Sequence, residues 1–401
     1  MRRSSRFWFL LFFWGAILLG NGGCGGSDAP LSEFAGGQGT PENPYQIATA
    51  KQLENVRNHL DRNFVLTSDI NLASYENWEP IGTLVFANPE EDQETPVMEL
   101  AFTGVFDGGG HTVSNIIINT PEKSGVGLFG CIAGDIGSIS NLVVENVNVK
   151  GMTLVGGVIG YRSIGSAVKN IRLVGNDNYI EGGNMVGGIL GGGFCDIVDC
   201  EAQANVKLVG DEGGLAGVLA GGMETCDIIG SHATGTITVE GANDTGIGGL
   251  AGCVWWSQKV LDCSSDVVIT VGEDNMMIGG LVGYAGRGVG VDGVTLISGC
   301  SVTAVINAPN SAERIGGIVG SGFYSDVYEA NYFPGLKPTA ISIVNCNTSG
   351  QIDGGIISGT IIGYAYNNSF VTNCASDMTI KDGTAKQVGA TETDIPLDNL
   401  R

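Results

Sequence analysis

The stretch IGGLVG (residues 278–283) holds three glycines and three aliphatic residues and carries no charge. Versions of this glycine phrase recur along the chain, 26 to 43 residues apart, and end at Gly130, Gly160, Gly191, Gly217, Gly252, Gly283, Gly320 and Gly363. A repeat of about 30 residues is typical of a solenoid, in which each unit buries its apolar face against its neighbours. The phrase therefore predicts a stack of similar coils, and none of its side chains could act as an acid, a base or a nucleophile.

Each repeat also contains a second apolar stretch, such as ISNLVVENVNV (139–149), whose alternation is interrupted near Glu145 and Asn146. Short runs rich in β-branched residues and bounded by Gly, Asn and Asp are strand signals. The sequence thus predicts an all-β fold, a parallel β-helix in which each strand pairs with its copy on the next coil, about 4.7–4.9 Å away. In this fold the glycine phrase is a tight corner, where glycine permits positive φ and close backbone approach.

The N-terminus is predicted to be a targeting segment and not part of the fold. A basic start, MRRSSR, precedes an apolar run that is too short for a comfortable membrane span, and the chain then reaches NGGC at residues 21–24. This resembles the lipobox of bacterial lipoproteins, in which cleavage exposes a cysteine that receives lipid, so Cys24 is the predicted lipidation site. Asn21 departs from the usual Leu of the lipobox, and an ordinary secretory signal is the alternative.

Ten cysteines in an exported chain would ordinarily indicate disulfide bonds. In the later repeats, however, a cysteine falls inside a strand-like stretch, at Cys200, Cys263, Cys300, Cys346 and Cys374. Other repeats hold Leu142, Ile171 and Ser231 at the corresponding place. Such a cysteine place is predicted to be a small interior site, because a buried free cysteine behaves as a small hydrophobe. Cys195 and Cys226, which match each other in CDIV and CDII, are the pair most suited to a disulfide.

The chain has 401 residues, of which 66 are glycine, and its formal net charge is −23. With 43% hydrophobic and 15% charged residues, the composition favours a packed core over disorder. The acidic balance argues against nucleic acid as a partner, because phosphate binding needs clustered positive charge. It permits cationic partners and divalent metal ions.

The recurring G-G-[LIV]-[VALI]-G followed by an [ND]-C strand resembles the GLUG-motif repeats of bacterial surface proteins. The stretches GTPENPYQIATAKQLENV (39–56), NFVLTSDINL (63–72), NWEPIG (77–82) and FTGVFDGGGHTVSNIII (102–118) are similar to the entry region of such proteins. The resemblance, over about residues 39 to 380, implies a right-handed parallel β-helix of the pectin-lyase-like class. Members are mostly uncharacterised surface or adhesin-like proteins, and similar repeats occur as non-catalytic parts of IgA-cleaving metallopeptidases.

A β-helix needs covered ends, because exposed strand edges invite aggregation. The stretch TAKQLENVRNHLD begins with Thr49 and carries Gln52 three residues later, a capping-box pattern, and Leu53, Val56 and Leu60 line one helical face. An N-terminal capping helix is therefore predicted. The predicted organisation is a lipoprotein signal peptide (1–23), a flexible tether (24–38), an N-terminal cap and first coils (39–120), GLUG-type β-helix repeats (121–380) and a polar C-terminal tail (381–401).

No catalytic motif is recognisable in the sequence. The histidines are His59, His111 and His232, and neither an H-E-x-x-H zinc motif nor a G-x-S-x-G nucleophile elbow occurs. Asp107 and His111 lie close in sequence, but FDGGGHT is interpreted as a structural turn. We predict that the protein is not an enzyme and has no cofactor. A carbohydrate-active β-helix enzyme is the alternative, because paired carboxylates for glycoside hydrolysis cannot be recognised from spacing.

Aromatic residues mark the variable side of the repeat. The number of residues from each cysteine place to the next phrase is nearly constant. The number from each phrase to the next cysteine place varies, so the insertions lie on one edge of the coils. Insertions on one edge indicate a candidate binding face. The aromatic edge includes Phe194, and its candidate ligand-binding residues are Tyr161, Trp255, Trp256, Tyr284, Tyr324 and Tyr364. Such rings could bind sugars or an extended partner; alternatively, they pack over the corner and shield it.

The turn before each phrase is acidic and contains Glu181, Asp211, Glu212, Asp244, Glu273, Asp274 and Glu313. Like charges on neighbouring coils repel, and calcium would relieve the repulsion because it accepts several carboxylate oxygens. The spacing is irregular, so solvated carboxylates and no metal site are expected.

These observations predict an exported, membrane-anchored lipoprotein at the cell surface or outer membrane. It would bind a glycan or a surface protein along its aromatic edge, without catalysis. The alternatives are a carbohydrate-active enzyme and a structural spacer in an envelope assembly.

Overall fold

Parallel strands stacked at intervals of one repeat make up most of the chain that the computed structural model describes. The described residues are 33–87, 95–97, 100–210, 213–241, 245–255, 259–273, 277–286, 294–322, 340–365, 369–381 and 386–391. Three sheets run along the stack, and their strands pair in parallel with their copies on the next coil. The predicted all-β parallel β-helix is confirmed. Within these ranges, no helix has the length and apolar character needed to cross a membrane.

Sheet 1 carries the second apolar stretch of each repeat. Its 20 strands are Tyr45–Ile47, Phe64–Leu66, Ile70–Asn71, Val105–Asp107, Thr112–Asn119, Ser138–Lys150, Val168–Val174, Tyr179–Gly182, Ile197–Val198, Glu201–Val209, Ile228–Ile229, His232–Glu240, Lys259–Leu261, Ser264–Val271, Thr295–Ser298, Ser301–Asn307, Ile341–Val344, Asn347–Asp353, Phe370–Thr372 and Ala375–Ile380.

Sheets 2 and 3 carry the glycine phrases. Sheet 2 has seven strands, Thr153–Gly156, Asn184–Gly187, Gly214–Gly217, Thr245–Gly248, Met277–Gly279, Arg314–Gly316 and Ile357–Gly359. Sheet 3 has nine, Phe129–Ile132, Ile159–Arg162, Leu190–Gly193, Ala220–Glu224, Ala251–Trp255, Val282–Gly286, Val319–Ser321, Ile362–Ala365 and Val388–Thr391. A separate antiparallel ladder pairs Val85–Ala87 with Thr95–Val97.

From the second coil of sheet 3 onward, the glycine phrase contains the end of a sheet 2 strand, a tight turn and the start of a sheet 3 strand. A Cβ atom on Gly279 would lie 1.9 Å from the carbonyl oxygen of Val282 in the same coil. A Cβ atom on Gly283 would lie 2.3 Å from the backbone nitrogen of Ile247 on the preceding coil. Neither glycine has a positive φ. Close backbone approach, and not an unusual backbone conformation, is therefore the reason for glycine at these two positions.

One phrase was placed in the wrong register by the sequence pattern. EGGLAG ends at Gly217, but Gly217 pairs with Gly187 and Gly248 in sheet 2, where the turn has not yet begun. The structural copy is AGVLAG, which ends at Gly221, because Ala220 pairs with Leu190 and Ala251 in sheet 3. EGGLAG has its glycines at the same three positions as IGGLVG, whereas AGVLAG lacks one of them. The sequence pattern therefore selected EGGLAG.

The cysteine places form one column through the interior, as predicted. Ile171 pairs with Leu142, and the pairing of the following residues continues the column through Cys200, Ser231, Cys263, Cys300, Cys346 and Cys374. The column is buried except at Cys374, which is half-buried. The backbone N–H of Cys300 donates to Cys346 Sγ at 3.4 Å, and that of Cys346 donates to Cys374 Sγ at 3.4 Å.

The residue before each cysteine place turns the chain within sheet 1. It is Asn, Asp or Gly, with φ between 52° and 69°, at Asn141, Asn170, Asp199, Gly230, Asp262, Gly299, Asn345 and Asn373. These residue types tolerate the left-handed region better than others. The first side chains of this corner also bond to one another: Asn170 Nδ2 donates to Asn141 Oδ1 at 2.8 Å, and Asn141 Nδ2 donates to Asp107 Oδ1 at 3.0 Å.

Asn170→Ala is expected to lower the free energy of unfolding by about 2 kcal/mol. An alanine in the left-handed region costs about 1–2 kcal/mol, and the hydrogen bond to Asn141 contributes about 0.5–1 kcal/mol more. Asn170→Gly is the control, because it keeps the conformation and loses only the hydrogen bond. Urea denaturation of both variants checks the prediction, and equal losses would show that the corner does not require a left-handed residue.

The predicted N-terminal helix is present and short. Helix α1 spans Ala50–Asn55, and the Thr49 hydroxyl accepts a hydrogen bond from the Gln52 backbone N–H at 3.3 Å, as the capping pattern indicated. The chain then passes into a 3-10 turn at Val56–Asn58. Leu53 is fully buried in the main core, so the helix closes the first coil through this residue.

Candidate functional site

One face of sheet 3 forms a second, smaller core against sheet 2. A row of residues in register lies on this face, one position after the last glycine of each phrase, and we call it the tyrosine row: Cys131, Tyr161, Gly192, Gly222, Cys253, Tyr284, Ser321, Tyr364 and Ala390. Its tyrosines belong to clusters that contain Leu154, Met277 and Ile357 of sheet 2. The tyrosine row therefore supplies packing between the two sheets.

Three of the predicted ligand-binding residues belong to this row. Tyr284 is 1% exposed and Tyr364 is 0% exposed, so the expectation that their rings are available to a ligand is wrong. Both rings are enclosed because sheets 2 and 3 lie against each other there, as in the alternative interpretation that the aromatics pack over the corner. Tyr161 is half-buried, and burial, with the nearby Cys131 and Glu224, raises the pKa of its hydroxyl to about 12.

A second row lies two positions further along the strands of sheet 3; three of its members are partly exposed, and the fourth, Gly286, is buried. Glu224 pairs directly with Trp255 on the next coil, and Trp255 pairs with Gly286 on the coil after that. Phe194 holds the equivalent place on the preceding coil, where its backbone N–H donates to the Arg162 carbonyl oxygen at 2.9 Å. Phe194, Glu224 and Trp255 are each half-buried. We call Phe194, Glu224, Trp255 and Gly286 the outer row.

Trp255 is held in place by buried neighbours. It packs against the buried cluster of Cys253 and Tyr284 of the tyrosine row and Met277 of sheet 2. On the next coil, a Cβ atom on Gly286 would lie 2.5 Å from Tyr284 Oη, so the tyrosine hydroxyl occupies the space above that glycine. The indole is therefore fixed and still partly exposed. The other predicted ligand-binding residues, Trp256 and Tyr324, lie outside the described residues, as does Cys24.

Glu224 is a candidate site residue that the sequence did not indicate. Burial disfavours the charged carboxylate and raises the pKa of Glu224. Among the described residues, no hydrogen bond or ion pair reaches this carboxylate, whereas Glu201 pairs with Arg172 at 2.8 Å. A partly buried carboxylate without a compensating partner reduces stability, and such groups are enriched at functional sites.

Glu224→Gln is expected to raise the stability of the protein at neutral pH. Because the pKa of Glu224 is higher in the folded state than in the unfolded state, the wild type loses stability as the pH rises from about the ordinary value of 4.5 through the folded pKa. The glutamine variant does not titrate, so the two melting temperatures should converge below this window and separate above it. Thermal unfolding at several pH values checks this.

Glu201→Gln is the matched control for that experiment. Its carboxylate is exposed and paired with Arg172 at 2.8 Å, so its removal should leave stability unchanged or slightly lower at neutral pH. Equal pH profiles for the wild type and Glu224→Gln would show that Glu224 is not desolvated.

Two of the acidic turns have a neighbouring cation. Lys150 Nζ lies 3.3 Å from Glu181 Oε1, and Arg314 lies 3.8 Å from Glu313. The expected repulsion is thus relieved without calcium at these turns. In the described ranges, no group of three or more His, Cys, Asp or Glu side chains is arranged to hold a metal ion. Outside those ranges lie Asp211, Glu212, Asp244 and Asp274.

Cys195 and Cys226, the pair most suited to a disulfide by sequence, are free thiols. They stack on neighbouring coils, where Ile197 pairs with Ile228, and both are buried. The Cys226 thiol instead donates to the Gly193 carbonyl oxygen at 3.7 Å. Burial raises the pKa of Cys195 to about 12, which makes its thiolate scarce at neutral pH.

Asp107 and His111 are engaged separately, in agreement with a structural turn. Asp107 Oδ1 accepts hydrogen bonds from the backbone N–H of Gly109 at 2.9 Å and from Asn141 Nδ2 at 3.0 Å. His111 Nδ1 lies 3.2 Å from Asp69 Oδ1. The arrangement holds the entry turn against the coils on either side.

No family model matches the chain, so the resemblance to GLUG-motif proteins stays a prediction from the repeats. A relative from Evansella cellulosilytica, assigned as a Gly-rich membrane protein, is 39% identical over 142 residues, which are 33% of this chain and 15% of the relative. Halomucin from Haloquadratum walsbyi is 33% identical over 177 residues, 43% of this chain and 2% of that protein. The chain therefore spans a small part of the length of either relative.

Two solved structures show a distant similarity. One, assigned as an immunoglobulin A1 protease from Bacteroides ovatus, has a TM-score of 0.45 and 17% identity, covering 90% of this chain and 86% of its own. The other, named IgA1 Protease, has a TM-score of 0.42 and 17% identity, covering 85% of this chain and 21% of its own. Neither similarity carries an argument about activity.

Proposed function

We propose that this chain is a non-catalytic binding protein displayed at a cell surface, and that its ligand binds on the outer row. The observation that carries the proposal is the pair formed by Trp255 and Glu224. A partly exposed indole and a partly buried carboxylate lie opposite each other on adjacent coils, and both belong to strands that are paired on either side. Groups held on rigid strands are well suited to recognition, because little order must be imposed on binding.

The proposed location rests on the N-terminal segment and on the relatives. The segment that precedes Cys24 has the basic and apolar parts of an export signal, and Cys24 would carry the lipid. The relatives that share part of the chain are named as a Gly-rich membrane protein and as Halomucin. These features support an exported protein anchored through Cys24, with its β-helix at the cell surface or outer membrane.

Binding is favoured over glycoside hydrolysis by the composition of the outer row. Glycosidases of the common type use two carboxyl groups flanking the scissile bond. The outer row contains one carboxylate, Glu224, with aromatic residues at the neighbouring positions Phe194 and Trp255. Aromatic faces support the stacking of a sugar ring or of a planar side chain without any chemical step.

The proposal is tested by a screen of the purified protein against an array of glycans, mucins and surface proteins. We expect a specific ligand whose affinity falls at least about tenfold in Trp255→Ala, the range of an interface hot spot. Phe370→Ala is the matched control, because Phe370 is an aromatic residue that is 57% exposed in sheet 1. Thermal unfolding confirms that both variants fold. A ligand that binds Trp255→Ala as well as the wild type would contradict the proposed surface.

A further inference from the structure

The surroundings of the Glu224 carboxylate indicate what kind of ligand the outer row binds. Along the row its neighbours are aromatic, with Phe194 one coil before and Trp255 one coil after. Burial, and then the charge of Glu224, raise the pKa of the Cys253 thiol, and the same charge contributes at Tyr161. The carboxylate therefore lies on the coil between those of Phe194 and Trp255, within electrostatic range of Cys253 and Tyr161.

Partial burial makes the ionised form of Glu224 less stable, and a nearby cation would make it more stable. The face of an aromatic ring is electronegative, so it attracts an ammonium or guanidinium group within about 6 Å. A partly desolvated carboxylate is stabilised by an opposite charge within about 4–6 Å. A cationic group placed at Glu224 would thus gain from the carboxylate and from the neighbouring rings together.

The spacing of the coils suits a planar cation. Neighbouring coils are about 4.7–4.9 Å apart, so Phe194 and Trp255 are separated by roughly 9–10 Å with Glu224 between them. An arginine guanidinium is planar, stacks on aromatic rings and bonds to a carboxylate through two N–H groups. A neutral sugar donates hydroxyl hydrogen bonds to a carboxylate but brings no opposite charge to Glu224.

The negative charge of the whole chain also favours a cationic ligand. A formal net charge of −23 attracts cations from a distance and raises their concentration at the surface. Two other acids on neighbouring strands of sheet 1 have their own cations: Arg172 pairs with Glu201 at 2.8 Å, and Lys207 pairs with Glu240 at 2.8 Å. Glu224 differs from these acids, since no described lysine or arginine pairs with it.

We propose that the outer row binds an arginine side chain of a basic protein segment, with the guanidinium held between the Glu224 carboxylate and the Trp255 ring. The inference rests on the proposed function, because it specifies the ligand for the same surface.

The test uses two short peptides that differ in one charge, acetyl-Gly-Arg-Gly-amide and its citrulline counterpart. Citrulline keeps the planar shape of arginine and is neutral. NMR titration of the tryptophan indole signals of the purified protein gives both affinities. We expect the arginine peptide to bind at least about fivefold more tightly. Glu224→Gln should remove this difference, whereas Glu201→Gln, which removes the same charge elsewhere on the surface, should retain it.

Equal affinity for the two peptides, or equal losses in Glu224→Gln and Glu201→Gln, would overturn the proposed cation site. The binding surface of the proposed function and the cation site can be tested separately. A neutral glycan that depends on Trp255 and not on Glu224 would support the binding surface and refute the cation. A screen without any ligand that depends on Trp255 would refute both.

Discussion

Replacing Gly279 with alanine will lower the free energy of unfolding by more than about 4 kcal/mol, a loss found only where a mutation disrupts a central structural feature. The added Cβ atom would lie 1.9 Å from the Val282 carbonyl oxygen and 2.7 Å from the Ile318 carbonyl oxygen on the next coil. Both obstacles are backbone atoms, so no side-chain rotation relieves the clash. The strand must move, and it is paired with Gly248 and Gly316 on either side.

Gly272→Ala is the matched control for this prediction. A Cβ atom on Gly272 would meet the Val239 carbonyl oxygen at 3.7 Å, an ordinary contact, and its φ is not positive. We expect a change within about 0.5 kcal/mol, as for most surface substitutions. Guanidinium denaturation followed by circular dichroism compares the two variants. Similar stabilities would show that the glycine phrase does not hold the sheets in close contact.

Tyr284→Ala is expected to cost about 3–5 kcal/mol, the range for removing a large buried ring. Tyr284 is 1% exposed and packs in one cluster with Cys253 and Met277, so truncation would leave a cavity between sheets 2 and 3. Trp255→Ala should cost about 1–2 kcal/mol, because the indole is only half-buried and part of its surface already meets water.

Trp255→Ala and a milder variant, Tyr284→Phe, separate packing from binding. We expect ligand affinity to fall in Trp255→Ala, which remains folded, and to persist in Tyr284→Phe, which keeps the ring. Thermal unfolding and the binding assay are carried out on each variant. A Tyr284→Ala protein as stable as the wild type would mean that the tyrosine row is a surface, contrary to its burial.

The stack and the interior column were predictable because solenoids place like residues on like. The recurrence of the glycine phrase gave the repeat, and the mixture of Cys, Leu, Ile and Ser at one place indicated a small buried site. The register confirms this column from Leu142 to Cys374. The left-handed corner also has a signal in the sequence, because Asn, Asp or Gly precedes every cysteine place.

The division of the aromatic edge into two rows could not be predicted in the same way. Tyr284 and Trp255 both follow a glycine phrase, but Tyr284 follows it by one residue and Trp255 by three. Both side chains lie on the same face of sheet 3 and join one cluster, in which Tyr284 is buried and Trp255 is only half-buried. The misplacement of one phrase at Gly217 instead of Gly221 also made the variable side look more irregular than it is.

Glu224 had no signal in the sequence. It lies in AGGMETCD, without an aromatic neighbour, and the one nearby acid, Asp227, is three residues away, a spacing that does not place the two on one face of a strand. Glu224 and Trp255 are 31 residues apart in sequence and become neighbours only through the pairing of strands on adjacent coils. Contacts of this kind depend on register, which the misplaced phrase at this very coil obscured.

Hydroxyl-radical footprinting with mass spectrometry tests the central claim most directly, because it reports the exposure of individual aromatic side chains. In the free protein, we expect oxidation at Phe194 and Trp255 and little at Tyr284 and Tyr364. With a ligand from the array or the arginine peptide at saturation, oxidation at Trp255 should fall while that at Phe370 stays constant. Strong oxidation of Tyr284 in the free protein, or bound ligand that leaves Trp255 as reactive as before, would contradict the account.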